Sequence, residues 1–143
     1  MSRVIIAGSR GFNDWLLMWE FLERKIEPFI FFTLADKVTE IVSGTANGAD
    51  KLGERYAKAK GLPVKRFPAD WNRYGKAAGH IRNKRMAEYA DACVVFWDGE
   101  SRGAKNMIDC ARELNVPTMV VKYKVRRFQI FNLCGEKSVR DGK

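Results

Sequence analysis

Three short turns concentrate the residues able to grip an anion. Gly8-Ser-Arg-Gly11, Ser43-Gly-Thr-Ala-Asn-Gly-Ala-Asp50 and Asp98-Gly-Glu-Ser-Arg-Gly103 each combine glycine with hydroxyl side chains, and two carry an internal arginine. Glycine admits close backbone approach, Ser9, Ser43, Thr45 and Ser101 add hydroxyl donors, and Arg10 offers a charged fork. Where such turns run into helices, first-turn N–H groups and the positive end of the helix dipole favour phosphate or carboxylate oxygens. Several charge-assisted hydrogen bonds at a net ~1.5–3 kcal/mol each suffice for micromolar binding, about −8 kcal/mol. None of the turns contains Gly-Lys-Ser/Thr and none is Gly-x-Gly-x-x-Gly, which disfavours ATP hydrolysis and routine NAD binding.

Further along, Arg82-Asn83 pairs a phosphate fork with an amide able to read a base or ribose. Asp50, Asp98 and Glu100 are the carboxylates placed to serve any acid–base chemistry at these turns, and Trp97 is placed to stack on a base. Each has an ordinary structural role to set beside the chemical one. Small residues suit any βα turn, Arg82 and Asn83 fit a solvated basic helix, Trp97 fits core packing, and Asp50 fits a helix cap. His80 is the only histidine; alone it reads as a surface residue, and with three scattered cysteines it leaves no metal site.

The elements that must position these residues follow from hydropathy period. Arg3-Val-Ile-Ile-Ala7 reads as a strand buried on both faces, ending at the first turn. Trp15, Met18, Trp19, Leu22 and Ile26 recur at helical spacing behind Asn13 or Asp14 as cap, and Pro28 is expected to kink or end that helix. Val38 to Val42 is a second strand. A helix marked by Ala49, Leu52, Tyr56 and Ala59 closes at Gly61, and Val64 to Phe67 is a third strand. Tyr74 to Ala90 reads as one helix, Ala92-Cys-Val-Val-Phe-Trp97 as the clearest strand, Ala104 to Leu114 as a helix and Pro117 to Val121 as a fifth strand. Cys93 alternates within its strand as a core residue. Strands alternating with helices predict an α/β, Rossmann-like, doubly wound and mainly parallel five-stranded sheet with helices on both faces. Phe128 to Leu133 is a possible added strand. In such a sheet the ligand crevice lies beyond the carboxyl ends of the strands, here between the first and fourth.

Composition narrows the partners. The 143 residues suit one domain over residues 1–122 and a basic extension over 123–143. No apolar run reaches the ~20 residues of a membrane span, so no membrane partner is expected. The scattered cysteines and the lack of a basic-then-apolar leader fit the reducing cytoplasm. The net charge of +9 favours anionic partners: nucleotides, other phosphates or nucleic acid. Between Lys122 and Lys143, seven basic residues face two acidic ones, so more than half of that excess sits in the tail. A basic tail of this kind is more often a solvated end than a binding arm. The large apolar residues from Trp15 to Phe32 either cover the sheet or bury against a second copy in a homodimer.

Ile6-Ala-Gly-Ser-Arg-Gly-Phe12, Ser43 to Asp50, Ala78-Gly-His-Ile-Arg-Asn83 and Asp98 to Gly103, in this order, resemble the SLOG superfamily and within it the small YspA-like, cpYpsA-related domains. The resemblance implies a Rossmann-like sheet and a site for a nucleotide or nucleotide-derived small molecule, without cofactor. Residue by residue it points to Gly8, Ser9, Arg10, Ser43, Gly44, Gly48, Asp50, Arg82, Asn83, Gly99, Ser101 and Gly103. Arg10, Arg82 and the turns would hold phosphate, and Asn83 or Trp97 the base or ribose. Two related branches suggest rival activities. LONELY GUY phosphoribohydrolases split nucleoside monophosphates with a glutamate in Pro-Gly-Gly-x-Gly-Thr-x-x-Glu. Matching Gly103-Ala104 to that Gly-Thr puts Met107 in the glutamate's place, and methionine moves no proton. Hydrolysis would then fall to Asp98, Glu100 or Asp50. DNA-processing protein A binds single-stranded DNA, and its Ser-Gly-x-Ala-x-Gly-Ile-Asp, Phe-Pro and Arg-Asn are similar to Ser43 to Asp50, Phe67-Pro68 and Arg82-Asn83. That likeness makes single-stranded nucleic acid the alternative partner, with Trp71 and Trp97 as stacking platforms.

Overall fold

The computed structural model describes residues 1–124. Five strands, β1 (Ser2–Gly8), β2 (Val38–Ser43), β3 (Val64–Arg66), β4 (Ala92–Trp97) and β5 (Thr118–Lys122), form one sheet in the order β3-β2-β1-β4-β5. Every neighbouring pair is parallel, as continuous apolar strands joined by helices require. This is the α/β Rossmann-like architecture. Phe128 to Leu133 and the rest of the basic extension beyond residue 124 lie outside the described residues.

The pleat sends alternate residues to two cores. Val4, Ile6, Val94 and Phe96 pack on one face against α1 (Trp15–Leu34) and α2 (Ala49–Lys60). Ile5, Ala7, Cys93 and Val95 pack on the other against α4 (Ala78–Tyr89) and α5 (Arg102–Glu113). These strand side chains are at most 5% exposed, so each large one contributes about 1.5–3 kcal/mol of burial. No helix among the described residues is long and apolar enough to cross a membrane.

Two expectations about helices are corrected. The first helix does not end at Pro28 but runs to Leu34, capped by Ala35 in the left-handed conformation. Met18, Leu22, Ile26 and Ile30 form one buried stripe that spans the proline. Pro28 itself is exposed, as is Arg24, whose carbonyl loses its bond. That carbonyl belongs to an exposed residue, open to solvent, and the burial on either side outweighs a proline's cost of ~3 kcal/mol. The expected helix from Tyr74 to Ala90 is instead α3 (Trp71–Tyr74), a 3₁₀ turn (Gly75–Ala77) and α4. The break is at Gly75, whose φ of 57° and ψ of −134° lie outside any helix.

Candidate functional site

From β1 the chain steps outward through β2 to β3, then returns to lay β4 on the other side of β1. Connections leaving β1 and β4 therefore diverge and open a crevice at the carboxyl edge. A cavity of about 410 Å³ lies there, within the ~300–1,000 Å³ of small-molecule sites. Its walls are the turn after β1, the start of α5 and one side of α4, with Met86 and Met107 as the apolar floor.

Each turn is held by the others. Ser9 N–H donates to the Phe96 carbonyl (2.9 Å), and the Ser9 carbonyl accepts from the amides of Phe12 and Ala49 (3.1 and 3.3 Å). Ser9 Oγ accepts from the Asp98 amide at 3.1 Å, tying the first turn to the third. The amides of Arg10 and Gly11 have no protein partner among the described hydrogen bonds. Gly48 binds the second turn to the first by contact: a Cβ there would collide with the carbonyl oxygens of both Ser9 and Arg10. Its φ of 85° with ψ of −129° is also closed to other residues. Gly48→Ala is expected to lower stability by about 3 kcal/mol or more, from backbone strain and displaced turns. Gly11→Ala, whose Cβ would meet nothing within 4 Å, should leave the chemical-denaturation midpoint in place; equal losses would contradict this packing.

The acids are treated differently by their surroundings. Asp98 accepts from the amides of Glu100 and Ser101, each at 2.8 Å. Those bonds, with help from Ser9, hold its carboxyl below the usual range. Asp50 lies at the start of α2, is 5% exposed and accepts from the Ala46 amide at 3.1 Å. Burial pushes its carboxyl up to about 6, against the pull of that amide, Arg82 and Arg10.

Arg82 is the hub of the site. Its Nη1 donates to the Gly44 carbonyl and its Nε to Asn83 Oδ1 (2.9 Å). Asn83 Nδ2 then donates to Asn106 Oδ1 (2.9 Å) and the Gly103 carbonyl (3.3 Å), fixing α4 to the start of α5. Burial lowers the guanidinium's pKa while Asp50 raises it, and it stays charged. At the mouth, Arg10 stands 5.8 Å from the ring of Trp71, which is 51% exposed. Arg10, Lys76 and Arg82 thus share the cavity lining with Asp50 and Asp98. Among the described residues no cluster of three or more acids, cysteines and histidines could hold a metal ion.

Of the residues singled out from sequence, Gly8, Ser9, Arg10, Asp50, Arg82, Asn83, Asp98, Ser101 and Gly103 line this cavity. Ser43, Gly44, Thr45 and Gly48 do not line it but shape the turn beside it. Ser43 Oγ accepts from the Thr45 amide (3.0 Å) and donates to Glu54 (2.6 Å), and Thr45 takes a φ of 65° that a β-branched residue rarely adopts. Gly99 and Glu100 do not line the cavity either, and Gly99 lies against the Lys122 side chain. Trp97 is outside the lining too: its Nε1 donates to the Ser101 carbonyl (3.1 Å) and its ring packs beside α4 and α5. Trp71, Lys76, Gly79 and His80 line the cavity without having been assigned to a nucleotide pocket from sequence. The available signal was Asp70, which caps α3 by accepting from the Arg73 amide (3.2 Å) and so turns Trp71 toward the crevice.

Comparison with known proteins agrees with this architecture. The model of the YspA, cpYpsA-related SLOG family matches residues 2–74, which carry the first two turns. The chain is also similar to the Gene 61 protein of Mycobacterium phage D29. The two are 31% identical over 125 residues, covering 83% of this chain and 95% of the phage protein.

Proposed function

Because this chain belongs to the YspA, cpYpsA-related SLOG family, we propose that it binds a nucleotide or nucleotide-derived ligand in the cavity between β1 and β4. The observation that carries the reading is the convergence of Arg10, Arg82, the Arg10 and Gly11 amides and the N-terminus of α5 on one cavity. Phosphate is the group that accepts from all of them at once. Trp71, half exposed at the mouth, offers a stacking surface for a base.

Binding without bond cleavage is the form we favour. Met107 is 1% exposed on the cavity floor and brings no proton. Asp98 is held as a carboxylate by two amides of its own turn, a poor proton donor. A thermal-shift panel of nucleoside mono- and diphosphates, linear dinucleotides and cyclic dinucleotides tests the reading. A ligand at 100 times its Kd adds about 2.7 kcal/mol, so at least one should raise Tm by several degrees. No shift from any of them overturns the reading. Release of free base from a nucleoside monophosphate would replace the binding form with a hydrolase.

A further inference from the structure

A second cavity, of about 220 Å³, lies along the face of α4 neighbouring the first, and Arg82 lines both. Resting on the reading just given, we infer that this second cavity is a subsite for a second phosphate-bearing unit, so that the ligand is a phosphodiester-linked dinucleotide. The volume is too small for an independent nucleotide site by the ~300 Å³ lower limit of such sites, yet it adjoins one that is large enough.

Its charges favour an anion once internal partners are removed. Arg66 is held by Glu54 through Nε (3.2 Å) and Nη2 (3.1 Å). Asp70 is occupied in capping α3. Lys65 and Arg85 remain, and neither is in an ion pair among the described residues. Arg85 Nη2 donates to Tyr74 Oη at 3.3 Å, which sets its guanidinium at the cavity. Arg82 spends Nη1 on Gly44 and Nε on Asn83, leaving Nη2 without a partner among the described hydrogen bonds. One guanidinium between two cavities, with free cations lining the second, suits two phosphates joined by one sugar. Phe67 and Tyr74 supply apolar faces beside them.

The test measures calorimetric affinities for adenosine monophosphate, 5′-phosphorylated diadenylate and a twelve-residue oligoadenylate at fixed salt. The doubly substituted Lys65→Ala/Arg85→Ala protein is measured beside the parent; both residues are exposed, so its melting curve should match. The dinucleotide should bind at least about ten-fold tighter than the mononucleotide, and the double variant should lose that advantage while keeping the mononucleotide Kd. Equal affinity of the two, or an advantage that survives the double variant, overturns the subsite and leaves the first cavity's reading intact. Much tighter, steeply salt-dependent binding of the twelve-mer overturns it in favour of a strand-binding groove. Binding of none of the three overturns the subsite, while the first cavity's reading stands or falls on the wider thermal-shift panel.

Discussion

Arg82→Ala should weaken nucleotide binding by a factor of about 10 to 150, the equivalent of one charge-assisted bond at ~1.5–3 kcal/mol. The size of the effect follows from what Arg82 touches. It brings positive charge to the cavity wall and, through Gly44 and Asn83, holds the second turn and the start of α5 in place. Loss of the side chain therefore removes a ligand contact and loosens two others. Arg82→Lys separates the parts, because lysine keeps the charge but cannot bond Gly44, Asn83 and a phosphate together. It should recover less than half of the lost binding energy. Isothermal titration of both variants checks this, and an Arg82→Ala protein with parental affinity would remove Arg82 from the site.

Asp50→Asn should make the protein more stable at neutral pH and its stability less dependent on pH. The carboxyl's ordinary value is 3.8 and burial raises it to about 6 in the folded chain. Between those values the folded state keeps a proton that the unfolded state has released. Stability therefore falls as pH rises through that window and stays lower above it, by roughly 3 kcal/mol. Asparagine carries no charge and can still accept from the Ala46 amide, so its denaturation midpoint should be flat from about pH 4 to about pH 6. The groups facing Asp50 are Arg82 and Arg10, which favour its ionisation, and Glu54, which opposes it. An ionised Asp50 also competes with ligand for the two arginines. Affinity for a phosphodiester, whose charge is constant in this range, should drop roughly ten-fold as pH passes 6 in the parent and hold steady in Asp50→Asn. A parent-like pH profile in the variant would contradict this.

The fold was largely legible in the sequence, and for a physical reason. Strands buried on both faces, such as Val4 to Ala7 and Ala92 to Phe96, must be apolar throughout, and that pattern has few other readings. The failures came where tertiary packing overrode a local preference, at Pro28, or where one glycine broke a helical run, at Gly75. The site was legible in part. Buried polar residues are rare, and Ser9, Ser43, Asp50 and Asn83, all named from sequence, are four of the five among the described residues. Sequence does not tell a residue that faces the cavity from one that braces its wall, since both must be small or polar. Ser43 and Ser9 illustrate this: both are buried, but only Ser9 lines the cavity. Lys76 sits in the 3₁₀ turn that begins at Gly75, a break that periodicity across Tyr74 to Ala90 concealed.

The most direct test is a titration of the isotopically labelled protein with inorganic pyrophosphate, followed by backbone amide NMR. Pyrophosphate has no base, so it isolates the grip on phosphate oxygens. The amides of Arg10, Gly11, Arg102 and Gly103 should shift together along one saturable curve. Saturation with those four amides unmoved, or no saturation at all, would contradict a phosphate site at the carboxyl edge of β1 and β4.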